Sequence, residues 1–213
     1  MLGVEPAGAA AMVAALATGE PVTLENVDQF VDGAAVARAG ALPFAALTAA
    51  GDMLSITTVD EGAVCTAMLD LYQNEGIIAE PAGALSAAAL VESDIAPGST
   101  VVCLVSGGNN DVSRYAEVVE RALVHTGRKH YFLVEFPQEP GALRQFLDDV
   151  LGPDDDITLF EYVKRNNRET GPALVGIELG SPDDLGPLLR RMDAAPPRIE
   201  QIPPDSPLFR YLL

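Results

Sequence analysis

The residues of most chemical interest begin at "TVVCLVSGGNND", positions 100–111. A β-rich apolar run stops at Ser106, Gly107 and Gly108 follow, and Asn109, Asn110 and Asp111 close the turn. Ligands of open parallel sheets sit beyond the carboxyl ends of the strands, which is where this serine would stand. Two glycines strip away side chains, so a flat ligand or a neighbouring backbone can approach closely. The hydroxyl can donate or accept one short hydrogen bond. A plain tight turn has the same composition, so the residues alone leave both readings open. The turn is not a dinucleotide fingerprint, because G-x-G-x-x-G is absent, and not a P-loop, because the lysine is missing. A second candidate is "PQEPGAL" (137–143), where Glu139, Pro140, Gly141, Ala142 and Leu143 open a helix whose first amides can receive a carboxylate. An ordinary helix start reads the same way. Other reactive side chains are sparse. Cys65 and Cys103 lie far apart in apolar runs and read as buried reduced thiols of a cytoplasmic protein. His125 and His130 are the only histidines, and no Cys/His cluster exists, so no metal site is expected.

The elements that must position these residues follow from periodicity and punctuation. Residues 1–5 read as a strand end, already in mid-domain, and residues 6–17 as a helix closed by Gly19. A strand is expected over 53–60, with Asp60 as N-cap of a helix over 61–75. A short strand follows over 76–80, then a small-residue helix from Pro81, which suits a first helical position. Residues 99–106 read as a buried parallel strand, apolar on both faces, and Asp111 caps a helix over 112–125. Strand and helix alternating at this spacing imply a parallel α/β sheet. The pattern then changes. Strands are expected over 129–137, 156–166, 172–180 and 198–202, with helices over 141–151 and after Ser181. The order βαββαβ is a ferredoxin-like split unit. The joint falls in "RALVHTGRK", which gives domains of 1–127 and 128–213. The closing "PPDSPLFRYLL" reads as a docking tail or as a frayed end.

Composition narrows the function classes. The chain has 213 residues, 48% apolar, enough for a sizeable core. Its net charge of −18 argues against nucleic acid or an anionic membrane as partner. The charge is uneven: residues 1–127 hold sixteen acids and three bases, residues 128–213 fifteen and ten. No apolar run reaches the roughly 18 residues of a membrane span, and no basic segment marks a secretory signal.

Together, "GVEPAGAA", "FVDGAAVARAG", "GIIAEPAGALSAAAL", "CLVSGGNND" and nearly all of residues 129–181 resemble biosynthetic threonine dehydratase, also called threonine ammonia-lyase. The resemblance is to the C-terminal half of the short form with one ACT-like regulatory domain. It implies an α/β fold: a partial parallel sheet of a fold-type II pyridoxal 5'-phosphate enzyme, then the ferredoxin-like ACT-like domain. By the same resemblance, Ser106 bonds the pyridine nitrogen of the cofactor, with Gly107 beside it. Gly33 lies next to the ring, and Glu80 is the acid near it. A neutral hydroxyl does not hold a proton on the ring nitrogen as a carboxylate would. That gives a mild electron sink, adequate for eliminating a β-hydroxyl. The substrate implied is threonine, converted to 2-oxobutanoate and ammonia at the start of isoleucine biosynthesis.

The family's Schiff-base lysine and its glycine-rich phosphate loop have no counterpart here. The only lysines are Lys129 and Lys164, both in the second domain, and no four-glycine run exists. The isolated chain is therefore expected not to deaminate threonine, and residues 1–127 alone to be poorly stable. The resemblance further implies isoleucine and valine as effectors, bound around Glu139, Pro140, Gly141, Ala142, Leu143 and Asn166, with Asn167 nearby, and a homo-oligomer through paired ACT-like domains. The alternatives are a stand-alone amino-acid-binding regulatory protein and a non-functional remnant.

Overall fold

The computed structural model describes residues 1–164, 168–204 and 206–212. The chain divides into two compact units, Met1–Ala122 and Leu123–Leu213.

In the first unit, β1 (Leu2–Pro6) leads through a single 3-10 turn into α1 (Ala11–Thr18). No side chain caps α1 from its N-cap position. Glu5 does so from the strand instead, accepting the Met12 and Val13 amides at 2.8 and 2.9 Å. Gly19, at φ 82°, ends the helix as a left-handed C-cap. α2 (Ala41–Ala50) follows. β2 (Ser55–Val59) pairs in parallel with β1, Leu2 opposite Ser55 and Pro6 opposite Val59. Asp60 accepts the Gly62 amide at 2.8 Å and starts α3 (Glu61–Glu75). α4 (Pro81–Glu92) opens on its proline. Asp111 caps a short turn that leads into α5 (Tyr115–His125). Val31, Val59, Val64, Met68, Ala84 and Val118 form the buried centre.

Two expected strands do not form. Residues 76–80 and 99–106 make no ladder, and among the described residues the parallel sheet holds β1 and β2 alone. The two segments still lie side by side: the Glu80 amide donates to the Gly107 carbonyl at 3.0 Å. Their side chains suit a pleated surface, but a strand also needs a second edge to bond. Here Ile78, Val102 and Leu104 are 54%, 89% and 76% exposed, and neither segment joins a ladder.

The second unit runs β3 (Lys129–Pro137), α6 (Ala142–Val150), β4 (Asp156–Tyr162), β5 (Thr170–Glu178), α7 (Leu185–Ala194) and β6 (Arg198–Ile202). The sheet order is β4-β5-β3-β6, with every neighbour antiparallel. This is the split βαββαβ arrangement. Alternation along β3 turns Phe132, Val134 and Phe136 toward Phe146 and Val150 of α6 and Leu188 and Met192 of α7. Ser181 and Asp184 form a reciprocal capping box ahead of α7. Tyr131 and Ile202 belong to a separate cluster with Phe209 of the tail, whose ring meets Tyr131 edge-on at 5.5 Å. Among the described residues no helix is long and apolar enough to cross a membrane.

Candidate functional site

The Ser-Gly-Gly turn of the first unit lies against the start of α4. The Glu80 amide holds the Gly107 carbonyl, and the Glu80 carboxylate accepts the Asn109 amide at 3.1 Å. A Cβ on Gly107 would stand 2.3 Å from Glu80 Oε1. A Cβ on Gly83 would stand 2.4 Å from the Gly107 carbonyl oxygen. A Cβ on Gly33 would stand 2.9 Å from Ala82 Cβ, with Glu80 Oε1 at 3.8 Å. Three segments distant in sequence thus meet at backbone distance around one carboxylate, and Gly33, Glu80 and Gly107 belong to one cluster. Ser106, next to Gly107, is exposed and has no hydrogen-bond partner among the described residues. Below the turn, Asn110 donates to the Ala79 carbonyl at 3.4 Å while its Oδ1 is buried without a partner.

The loop that carries Gly33 is pinned by a device that sequence reasoning missed. The Phe30 ring lies under two guanidinium groups, Arg121 at 4.3 Å and Arg114 at 5.1 Å from its centroid. Arg114 also bonds the Phe30 carbonyl and pairs with Asp32 at 3.3 Å, and the Asp32 carboxylate accepts the Gly33 amide at 2.9 Å. Residues 1–127 contain three bases, and two of them stack on this one ring. That scarcity was the available signal: a cation retained in an acidic, alanine-rich stretch has a partner to meet.

In the second unit, Glu139, Pro140, Gly141, Ala142 and Leu143 line one groove of about 740 Å³ with Phe136, Phe160, Tyr162 and Lys164. Gly141, at φ 95°, is the N-cap of α6 and offers no side-chain acceptor, so the first amides of α6, at the edge of the groove, have no side-chain cap. Phe136 packs edge-on against Phe160 and Tyr162 at 6.0 and 5.8 Å. Leu143 and Leu147, four residues apart on α6, are 41% and 38% exposed there. Asn166 and Asn167 lie outside the described residues. Lys164 was not assigned to this groove from sequence, although it continues the alternation of Phe160 and Tyr162.

The titratable groups off these sites behave as structural ones. Burial pushes the Cys65 thiol up to about 12, so it is no nucleophile. Burial holds His130 below its ordinary value, and its bond to the Gly127 carbonyl offsets only part of that. Hydrogen bonds from Ser113 lower Asp111. Among the described residues no group of His, Cys, Asp and Glu is arranged to hold a metal ion.

Residues 1–107 match the family model described as pyridoxal-phosphate dependent enzyme, and residues 120–212 match that of the C-terminal regulatory domain of threonine dehydratase. The chain belongs to the pyridoxal-phosphate dependent enzyme family. Within that family it is similar to the biosynthetic L-threonine dehydratase IlvA of Mycobacterium tuberculosis, 79% identical over all 213 residues, and to that of Corynebacterium glutamicum, 62% identical over 212. It covers 50% and 49% of those proteins, so the chain spans about half the length of the curated relatives it matches. Among solved structures, the processed form of threonine deaminase isoform 2 from Solanum lycopersicum superposes with TM-score 0.50 at 33% identity, over 57% of this chain and 36% of that one. These relatives imply pyridoxal phosphate as cofactor of the complete enzyme.

The residues present fit one edge of that group. Gly33, Glu80 and Gly107 pack at close range, and Ser106 stands beside them with its hydroxyl uncommitted. They do not supply the rest. Both lysines lie in the second unit, and no glycine-rich phosphate loop occurs in the sequence.

Proposed function

We propose that this chain is part of a pyridoxal-phosphate-dependent threonine ammonia-lyase, with its second unit as the amino-acid-sensing regulatory domain. The observation that carries the reading is the meeting of Gly33, Glu80 and the Ser106–Gly107 turn at one place, in a chain 79% identical to a biosynthetic threonine dehydratase. When bound, the cofactor supplies an electron sink for removing a β-hydroxyl and then ammonia from an amino acid. The chain's own residues position it. Ser106 would hold the ring nitrogen through a neutral hydroxyl, with Gly33 and Gly107 beside it. Glu80 fixes the turn by binding it at two backbone points. In the second unit, the groove between α6 and β4 takes the effector, an isoleucine- or valine-like amino acid. The regulatory units pair into a homo-oligomer, and the protein works in the cytoplasm.

The test joins this chain to the half of the Mycobacterium tuberculosis relative that it does not match. The fusion is expected to form 2-oxobutanoate from L-threonine and to lose most of that activity on Ser106→Ala. The 213-residue chain by itself is expected to form none. A folded, cofactor-loaded fusion without threonine-dependent product would refute the reading. A second reading, a stand-alone amino-acid-binding protein, draws support from the groove lying wholly within the second unit. It would prevail if the chain bound isoleucine while the fusion stayed inactive.

A further inference from the structure

The groove of the second unit carries four charged side chains along an apolar lining: Glu139, Arg144, Asp148 and Lys164. Among the described residues none of the four has a hydrogen-bond or ion-pair partner. An exposed set of two acids and two bases around one apolar lining is what the groove offers a ligand. It suits a ligand that brings both charges itself.

The topology says which pair meets the ligand. β3 and β4 are both antiparallel to β5, so they run in the same direction and end at the same edge of the sheet. β3 delivers the Glu139–Gly141 turn to that edge, and β4 delivers Lys164. Phe160, Tyr162 and Lys164 alternate along the chain, so they fall on one face of β4 and its extension. Arg144 and Asp148 are helix neighbours four apart on α6 instead. The mouth of the groove therefore holds one base, one acid and the positive amino end of α6. Leu143, Leu147 and Phe160 line the same groove.

We infer that Lys164 and Glu139 form the ionic head of the groove, Lys164 taking the α-carboxylate and Glu139 the α-ammonium of a branched aliphatic amino acid. The inference rests on the effector reading above and adds the residues that recognise the zwitterion. Its side chain lies over Leu143, Leu147 and Phe160, and the aromatic wall sets how far it can extend.

The experiment is calorimetric titration of the full 213-residue chain with three probes: L-isoleucine, 2-methylbutylamine, which lacks the carboxylate, and 3-methylpentanoate, which lacks the ammonium. Lys164→Met is expected to weaken isoleucine at least tenfold while leaving 2-methylbutylamine unchanged. Glu139→Gln is expected to weaken isoleucine and leave 3-methylpentanoate unchanged. Lys164→Arg keeps the charge and is expected to retain most of the isoleucine affinity. If Lys164→Met binds isoleucine as the wild type does, or loses isoleucine and 2-methylbutylamine in equal proportion, the assignment is overturned and the effector reading stands. A wild-type chain that binds none of the three probes overturns both.

Discussion

Replacing Gly83 by alanine sets two local effects against each other, and the structure decides the sign. Gly83 is the third residue of α4, a helix of twelve. By propensity alone, alanine should stabilise a helical position by roughly 0.5–1 kcal/mol. The added Cβ, however, would stand 2.4 Å from the Gly107 carbonyl oxygen, 3.0 Å from its nitrogen and 3.3 Å from its carbon. All three are backbone atoms, and none can swing aside as a side-chain tip could. The carbonyl is also the acceptor of the Glu80 amide, so moving it loosens the turn that carries Ser106. Forcing a methyl into such a contact costs about 1–3 kcal/mol. The net expectation is destabilisation of α4 by about 1–2 kcal/mol, read as amide exchange faster by roughly 5- to 30-fold. Hydrogen–deuterium exchange with peptide resolution measures it in α4 and in residues 100–108 together. Gly186→Ala is the control, because its Cβ would meet only Arg190 Nη1 at 3.6 Å, an ordinary contact. There exchange in α7 should slow. If Gly83→Ala slows exchange in α4 as the control does in α7, the close approach of α4 to the turn is wrong.

Two further outcomes follow from buried groups. His130 is held below its ordinary value, mainly by burial, between the Gly127 carbonyl at 2.9 Å and Gln201 at 3.3 Å. A histidine depressed in the folded state binds fewer protons there than when unfolded. Its stabilising effect is therefore complete above the ordinary value near 6.5 and is lost as pH falls through that value toward the folded one. The urea midpoint should drop more between pH 7.5 and 5.5 for the wild type than for His130→Gln; equal drops would contradict this. Cys65 is fully buried with its thiol pushed up to about 12, whereas Cys103 is only half-buried. Iodoacetamide at pH 8 should add once, at Cys103, and reach Cys65 only in denaturant; native labelling of Cys65 would show that its pocket opens.

The second unit was the more legible half. Its strands over 129–137 and 198–202 stand where alternation and flanking breakers place them, because every partner they bond lies within the same ninety or so residues. The first unit was legible in its helices and caps. Asp60, Pro81 and Gly19 act within one turn of themselves, and local chemistry suffices for that. Residues 76–80 and 99–106 misled because apolar β-formers announce a suitability for pairing, whereas pairing depends on a neighbour that periodicity does not reveal. α2 went unread because "ALPFAALTAA" has no polar face to mark a period, and its proline looks like a breaker while sitting in the first turn. At the candidate sites, Ser106 and Gly107 stood out from the residues themselves, while their role, and Gly33 and Glu80, came from the family resemblance. Gly83 and the Arg–Phe30–Arg stack are contacts between segments distant in sequence, and only coordinates bring them together.

The exposed run through Val101, Val102, Leu104 and Val105 has a colloidal consequence. "VVCLVS" is uncharged, β-prone and free of proline, the composition of a segment that templates its own kind. What keeps two copies apart is the surplus of eighteen negative charges. That repulsion reaches only about 8–10 Å at physiological ionic strength and vanishes toward the isoelectric point near 4.2. Salt and acid therefore govern whether the chain stays dispersed.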